Sequence, residues 1–322
     1  MIQKQDINQF EEDGYFIAED LLDFGRDIQP VIDEYDDLLD ELATKWYKEG
    51  RISNTYRDLH FGQKISQIAQ DTDGLYTQAL DISLPQKSIS NETPMHHGPA
   101  VFQLLRNERL LDAVEVFIGP EIFSNPVQHV RIKPPENYLP EAIRKSSLAG
   151  QTLWHQDQGV VTEEADESNI LTVWIPMTDA TEENGCLVVG RGSHKDGLGL
   201  HCYTNNPEKN GLSNQYLPED QVPIIMSPGD VLFMTKMTKH SSLPNVSEDI
   251  RWSFDLRYNP TGEATGRRWF PGFVARSKSN PDAELHDPFV WGQRWDAARE
   301  QLYHSGVNPQ FQRWDPNDPL CA

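Results

Sequence analysis

The sequence has few cysteines, no long apolar run and a shortage of basic residues. Its three cysteines, Cys186, Cys202 and Cys321, include no CxxC pair. A sparse and odd-numbered set, behind an N-terminus without a secretory signal, predicts reduced thiols in a cytoplasmic protein. No apolar stretch approaches the roughly 18 residues that a membrane helix needs, so no membrane span is expected.

Acidic residues outnumber basic ones, 50 to 28, and the net charge is −22. Nucleic acids and anionic membranes are both recognised largely through Lys and Arg, so the composition argues against either partner. The 322 residues are enough for a sizeable core, and 37% of them are hydrophobic, which is typical of a globular enzyme. The sequence contains no nucleophile elbow and no H-E-x-x-H zinc motif, and it predicts no oligomeric state.

Hydrophobic spacing changes along the chain. Residues 28–47 follow the helical period, and a second helix is expected over 106–118. From about residue 122, short β-rich runs separated by turn residues predict antiparallel strands of a sandwich or barrel. We therefore expect one domain over 1–322, with mainly helical support over 1–121, a β core over 122–260 and a C-terminal wrap or lid over 261–322.

His155 and Asp157 lie two residues apart after a β-like stretch. Residues at this spacing in a strand face the same side, so the imidazole and the carboxylate would converge. His240 follows the strand-like run 231–234 and is the expected third ligand, although a lone histidine there is more often a surface loop residue. Two imidazoles and one carboxylate hold Fe(II) on one face and leave the opposite face open.

The same H-x-D spacing recurs at His194-Lys195-Asp196. Chance alone would produce roughly one such triplet in a chain of this composition. The second triplet lies in the turn-like run 190–197, which contains three glycines, so its side chains are not expected to converge. We therefore favour the first triplet as the metal site.

Arg251 begins a strand-like run 11 residues after His240, and polar and apolar residues alternate over 251–258. Such alternation usually indicates a half-buried strand with a solvated polar face. Alternatively, the polar face lines the interior of a barrel. A buried Arg251 would then need an anionic partner, and a ligand carboxylate would serve.

These residues sit within a wider resemblance to the phytanoyl-CoA dioxygenase family of Fe(II)- and 2-oxoglutarate-dependent oxygenases. The resemblance runs from the N-terminal helix to the strand that contains Arg251. Its matching runs are Phe10 to Tyr15, Trp174 to Met177, Asp179 to Leu187, Gly192 to His194 and Pro228 to Phe233. The second, third and fourth of these runs together are far more distinctive of the family than an H-x-D triplet.

The resemblance implies a mainly β fold, a double-stranded β-helix or cupin-like jelly roll, with N-terminal helices packed on one sheet. It implies that His155, Asp157 and His240 hold Fe(II). It also implies that Arg251, with Ser242 nearby, binds the distal carboxylate of 2-oxoglutarate. Because Asp157 is present where the halogenating relatives have a small residue, halogenation is not expected.

Further site residues are suggested by the same resemblance or by their position. Those expected to line the cosubstrate pocket are Trp174, Gln128 and Thr152. Candidate substrate contacts are His96, His97, Arg131 and Lys133. The segment 134–150 and the C-terminal tail look individual to this chain, so we expect substrate choice to depend on them.

The expected activity uses Fe(II), 2-oxoglutarate and O2, and releases succinate and CO2. The small-molecule substrate, a natural-product intermediate or an amino-acid-like metabolite, would be hydroxylated. Demethylation, desaturation or cyclisation would share the same first step. Two alternatives are a non-catalytic jelly-roll protein that binds a small molecule, and a cupin-like metalloenzyme that does not use 2-oxoglutarate.

Overall fold

The structure is a computed structural model that describes residues 2–72, 74–86, 88–144, 150–203, 210–306, 312–315 and 318–321. The helices are α1 (Lys4–Asp13), α2 (Gln29–Lys48), α3 (Phe61–Asp71), α4 (Leu75–Ala79), α5 (Pro99–Leu105), α6 (Glu108–Ile118), α7 (Glu141–Arg144) and α8 (Pro288–Ser305). The strands are β1 (Tyr15–Ala18), β2 (Glu121–Lys133), β3 (Leu171–Pro176), β4 (Leu187–Gly190), β5 (His201–Cys202), β6 (Gly211–Leu212), β7 (Gln221–Ile224), β8 (Val231–Thr235), β9 (His240–Ser242), β10 (Arg251–Pro260) and β11 (Phe273–Ser277). Residues 145–149 of the segment 134–150 lie outside the described residues.

Two antiparallel sheets form the β core. Within the described residues the larger sheet has the order β1-β8-β3-β10-β2-β11, and the smaller one has the order β7-β4-β9. Trp174 and Leu232 of the larger sheet share a buried cluster with Leu187 and Ile224 of the smaller sheet, so apolar side chains fill the space between the layers. The mainly β jelly-roll fold with helical support is confirmed.

Helices cover the other face of the larger sheet. Tyr35 of α2 is fully buried, and its ring centroid lies 5.1 Å from that of Trp252 on β10. The hydroxyl of Tyr258 donates to the carbonyl of Leu105 in α5 over 2.9 Å. Truncating such an aromatic side chain to alanine typically costs about 3–5 kcal/mol. This packing holds β10 flat against the helices, so its opposite face is free to form the site.

The predicted limits of the β core, 122–260, are too narrow. The early strand β1 pairs with β8 at one edge of the larger sheet, and the late strand β11 pairs with β2 at the other edge. The C-terminal region therefore contributes a strand to the core, and its role as a wrap or a lid stays a prediction. Sequence alone did not reveal this, because the partners of both edge strands are distant in the chain. The division into a single domain stays a prediction.

The prediction of reduced cysteines is wrong for two of the three. Cys202 and Cys321 form a disulfide, with their Cα atoms 5.3 Å apart, and Cys186 is free and buried. The two partners are separated by 119 residues, so local spacing carried no sign of the pair. No described helix has the length and apolarity to cross a bilayer.

Candidate metal centre and cosubstrate pocket

The structure brings His155, Asp157 and His240 together. An antiparallel bridge pairs His155 with His240, and each backbone N–H donates to the other residue's carbonyl over 2.9 Å. One donor atom from each of the three side chains lies within 4.8 Å of the others. No other group of three metal-binding side chains is found in the part of the chain that the structure describes. The three side chains therefore converge as expected, although Asp157 begins a 3-10 turn rather than continuing a strand, and their role as metal ligands stays a prediction.

Both histidines are oriented by backbone carbonyls. His155 Nδ1 lies 2.9 Å from the carbonyl oxygen of Leu153, and His240 Nδ1 lies 3.0 Å from that of Thr238. A carbonyl can only accept, so each Nδ1 carries the proton and each Nε2 keeps a lone pair for an ion. Burial, and then the neighbouring His240, lower the pKa of His155 well below its usual value. An imidazole whose Nδ1 is held by a carbonyl presents its Nε2 to a divalent metal.

Asp157 is held in its ionised form by Arg257. Arg257 Nη2 lies 2.6 Å from Asp157 Oδ1 and its Nε lies 3.3 Å from Oδ2, while the hydroxyl of Thr172 also donates to Oδ2. Burial by itself raises the pKa of Asp157, but the charge of Arg257 outweighs it, and the pKa lies well below its usual range. The carboxylate is therefore both charged and fixed in direction before any ion binds.

A second cationic group lies deeper in the fold. Arg251 is 1% exposed, donates through Nη1 to Ser253 Oγ over 2.7 Å and lies over the ring of Trp174 at 5.7 Å. Burial, followed by the charge of Arg131, lowers the pKa of Arg251 to about 9. Within the described residues no carboxylate forms a salt bridge with Arg251. A buried guanidinium in this setting suits a ligand carboxylate.

Lys133 and Thr152 complete this pocket around Ser242. Lys133 Nζ donates to Ser242 Oγ over 2.6 Å and to the carbonyl of Leu243 over 2.9 Å. The backbone N–H of Thr152 donates to the same Ser242 hydroxyl over 2.9 Å. The structure therefore places Lys133 beside Arg251, on the expected cosubstrate side, rather than among the substrate contacts.

A cavity of about 350 Å³ opens onto His155 and Asp157. Arg131 and Thr152 line it, and their roles as substrate and cosubstrate contacts stay predictions. A larger cavity of about 740 Å³ lies between α1, β1 and α6, but it contains none of the three metal-binding candidates. We therefore associate the chemistry with the smaller cavity.

Three predicted residues are brought neither to this cavity nor to the pocket around Arg251 and Ser242. Gln128 donates to the carbonyl of Ile82 over 2.9 Å, because residue 128 lies on the opposite face of β2 from Arg131. His96 Nε2 lies 2.8 Å from Glu34 Oε1 of α2, within the helical layer. His97 packs against Gly292 of α8, where an added Cβ would lie 2.7 Å from the His97 ring.

Several cavity residues were missed by sequence reasoning. The missed residues are Asp81, His129, Arg257, Arg267 and Trp314. Only Arg257 had a readable signal, since it alternates onto the same strand face as Arg251. The others depend on where loops and the tail return. The N–H of Arg313, for example, donates to Gly159 over 3.1 Å and so brings Trp314 to the cavity.

Known proteins resemble this chain both in sequence and in structure. A family model described as phytanoyl-CoA dioxygenase matches residues 10–253. The 1-deoxypentalenic acid 11-beta-hydroxylase of Streptomyces arenae is 29% identical over 203 residues, which cover 60% of this chain and 68% of that relative.

Solved structures share the fold. A non-haem monooxygenase in its apo form matches with a TM-score of 0.56 at 15% identity, covering 92% of this chain and 98% of its own. An epimerase solved with Fe3+ and alpha-ketoglutarate matches with a TM-score of 0.51 at 17% identity, covering 82% of this chain and 86% of its own. The family match spans most of the chain. The chain therefore belongs to the phytanoyl-CoA dioxygenase family of non-haem Fe(II)- and 2-oxoglutarate-dependent oxygenases.

Proposed function

We propose that His155, Asp157 and His240 hold Fe(II), and that Arg251 and Ser242 bind the distal carboxylate of 2-oxoglutarate. The carrying observation is the convergence of three donor atoms within 4.8 Å, in the same interior as a buried arginine. Two neutral imidazoles and one carboxylate are the donor set that suits Fe(II) with an open face. This geometry favours an oxygenase over a binding module, which would need none of these groups.

Each side chain has a separate task in this proposal. Bound Fe(II) supplies the activation of O2 that couples conversion of 2-oxoglutarate to succinate and CO2 with oxidation of the substrate. Arg257 keeps Asp157 ionised and aimed at the ion. Arg251 fixes the far end of the cosubstrate by charge-assisted hydrogen bonds, and the ring of Trp174 excludes water from that contact.

Lys133 and Thr152 support the cosubstrate end. Their hydrogen bonds converge on Ser242 Oγ, so the orientation of this hydroxyl is set before a ligand arrives. Burial, followed by the charge of Arg251, lowers the pKa of Lys133 well below its usual value, and a dianionic cosubstrate bound beside it would favour its protonated form.

The proposed outcome is hydroxylation of a small metabolite. The hydroxylase relative from Streptomyces arenae supports this choice, and a cavity of about 350 Å³ suits a small molecule. Demethylation, desaturation and cyclisation use the same residues and are separated only by product analysis.

The first experiment measures succinate release from protein supplied with Fe(II), 2-oxoglutarate and O2. Wild type is expected to release succinate without added substrate, as uncoupled turnover, and candidate metabolites should accelerate it. His155→Ala should abolish release, whereas His194→Ala, taken from the second triplet, should retain it. Equal release by both variants, or none by wild type under any condition, would reject the proposal.

We also propose a cytoplasmic location from the composition of the chain. The Cys202–Cys321 disulfide opposes this proposal, because the reducing cytoplasm keeps most thiols free. Cells lysed in the presence of a thiol-alkylating reagent, followed by a count of the alkylated cysteines by mass spectrometry, would test the location. Three blocked thiols indicate a reduced protein in a reducing compartment, and one indicates that the disulfide forms there.

A further inference from the structure

Strand β2 presents a histidine to the cavity beside the metal-binding cluster. Residues 127, 129 and 131 alternate onto one face of β2, and all three line this cavity together with His155 and Asp157. The side chain of His129 is 12% exposed, so it is sheltered but still accessible. His129 therefore borders the space that a substrate would occupy next to the metal-binding cluster.

One ring nitrogen of His129 is fixed by Asp81, in the loop that follows α4. His129 Nδ1 lies 2.9 Å from Asp81 Oδ2. The other carboxylate oxygen, Oδ1, accepts from the backbone N–H groups of Ile82 and Val130 over 2.8 and 2.9 Å. Val130 is the next residue of β2, so this carboxylate is anchored to the strand whose histidine it orients. Because an ionised carboxylate only accepts, Nδ1 carries the ring proton.

The other ring nitrogen of His129 is left as an unused acceptor. Burial lowers the pKa of His129 despite the opposing charge of Asp81, so the ring is neutral at physiological pH. In a neutral imidazole with its proton on Nδ1, Nε2 keeps a lone pair and accepts a hydrogen bond. Within the described part of the chain, Nε2 of His129 has no hydrogen-bond partner, and it is not one of the buried polar atoms, so a donor from a ligand can reach it.

We propose that the substrate carries a hydrogen-bond donor, a hydroxyl or an N–H group, that binds Nε2 of His129 and so sets which carbon faces the metal-binding cluster. This inference rests on the proposed function. His129 is then a specificity-determining residue, and Asp81 is a positioning residue that keeps Nε2 an acceptor. An acceptor of this kind discriminates against a substrate analogue that lacks the donor, because the sheltered nitrogen is then left unpaired.

The test uses isothermal titration of protein loaded with Fe(II) and saturated with 2-oxoglutarate under nitrogen, so that no turnover occurs. The probes are two matched pairs, benzyl alcohol with benzyl methyl ether and benzamide with N,N-dimethylbenzamide. Only the first member of each pair has a donor. Wild type should bind the donor probe of at least one pair roughly five- to tenfold more tightly, since its counterpart loses one neutral hydrogen bond. The pair that shows the difference distinguishes a hydroxyl substrate from an N–H substrate.

His129→Phe should lose this preference, because a phenyl ring keeps the bulk of the imidazole without its acceptor. His96→Phe is the matched control. His96 also pairs with a carboxylate, 2.8 Å from Glu34, and its side chain is also 12% exposed, but it lies in the helical layer. It should keep the preference of wild type. Equal binding within both pairs by wild type, no binding of any probe, an unchanged preference in His129→Phe, or an equal loss in both variants would overturn the inference.

Asp81→Asn supplies a second measurement that a merely structural role would not move. The asparagine carbonyl has to accept from Ile82 and Val130, so its NH2 group faces Nδ1 of His129. The ring proton then moves to Nε2, which becomes a donor instead of an acceptor. The preference for donor probes should therefore disappear, although the imidazole is still present. A preference equal to that of wild type in Asp81→Asn would contradict the assigned acceptor.

Titration of 2-oxoglutarate into the same Fe(II)-loaded samples separates the two levels of failure. If wild type does not bind 2-oxoglutarate, the proposed function itself fails. If wild type binds 2-oxoglutarate but shows no preference for the donor probes, only the substrate inference fails.

Discussion

The two H-x-D triplets have the same local pattern and opposite environments. His155 and Asp157 are directed towards His240 and are backed by Arg257. In the second triplet, His194 lies 3.1 Å from the carbonyl of Glu11, and the exposed Asp196 binds Lys239 over 2.7 Å. The difference is a third ligand supplied from far along the chain, so a metal-binding pattern becomes a site only through long-range pairing.

The largest contrast is expected from removing each triplet's carboxylate. Asp157→Ala should reduce succinate release by a factor of a thousand or more, on the order of 4 kcal/mol, because the carboxylate is one of the three proposed metal ligands. Asp196→Ala should leave release unchanged. Both rates are measured by succinate quantification at saturating Fe(II) and 2-oxoglutarate. Similar rates for the two variants would remove the distinction between the triplets.

Replacing the cation behind each triplet sharpens the comparison. Arg257→Gln should weaken metal binding by roughly 10–100-fold, because residues that orient metal ligands typically contribute that much. Lys239→Gln, behind Asp196, should not change metal affinity. Competition with a chromophoric chelator measures both affinities. As a positioning residue, Arg257 should be partly rescued by Arg257→Lys, and an Arg257→Gln protein with wild-type affinity would contradict this role.

Acid should destabilise the fold through His201, whose side chain is bonded to the backbone inside the first triplet. Its Nε2 accepts from the N–H of Gln156 over 2.9 Å, and burial lowers the pKa of His201 to about 4. Between pH 6.5 and 4 the unfolded chain binds this proton and the folded chain does not, so stability falls as the pH falls. The loss from this residue is about 3 kcal/mol in the free energy of unfolding.

Urea unfolding across this pH range measures the effect. His201→Gln should give a shallower dependence of stability on pH than wild type, whereas His194→Gln should leave it unaltered. Parallel curves for wild type and His201→Gln would show that His201 is not the group responsible.

The smallest effect is expected at the surface pair of the second triplet. Asp196→Asn removes the charge that faces Lys239, but 59% of the Asp196 side chain is exposed, so solvent screens the interaction. We expect a change of less than about 1 kcal/mol in the free energy of unfolding. Thermal unfolding of wild type and variant provides the measurement, and a larger loss would mean that this turn supports the fold more than its exposure indicates.

Sequence predicted the parts of the molecule whose signal is local. The apolar period of α2 and the alternation of β10 each follow from one continuous segment, and the resemblance to a family joined His155 with His240. The cavity wall was not predicted, since Arg267 and Trp314 reach it through loops whose paths depend on distant partners. Gln128 is a different case, because the strand period of β2 already places it on the opposite face from Arg131.

The residues that line the cavity are synthesised at different times, which affects the order in which the enzyme folds. The metal-binding residues and β10 leave the ribosome before Arg267, and well before the segment of Arg313 and Trp314 that returns to Gly159. Contacts of such long sequence separation form late, because loop-closure entropy opposes them. A nascent chain should therefore be able to capture metal before it can shelter a substrate, and selectivity would be the last property that the growing enzyme acquires.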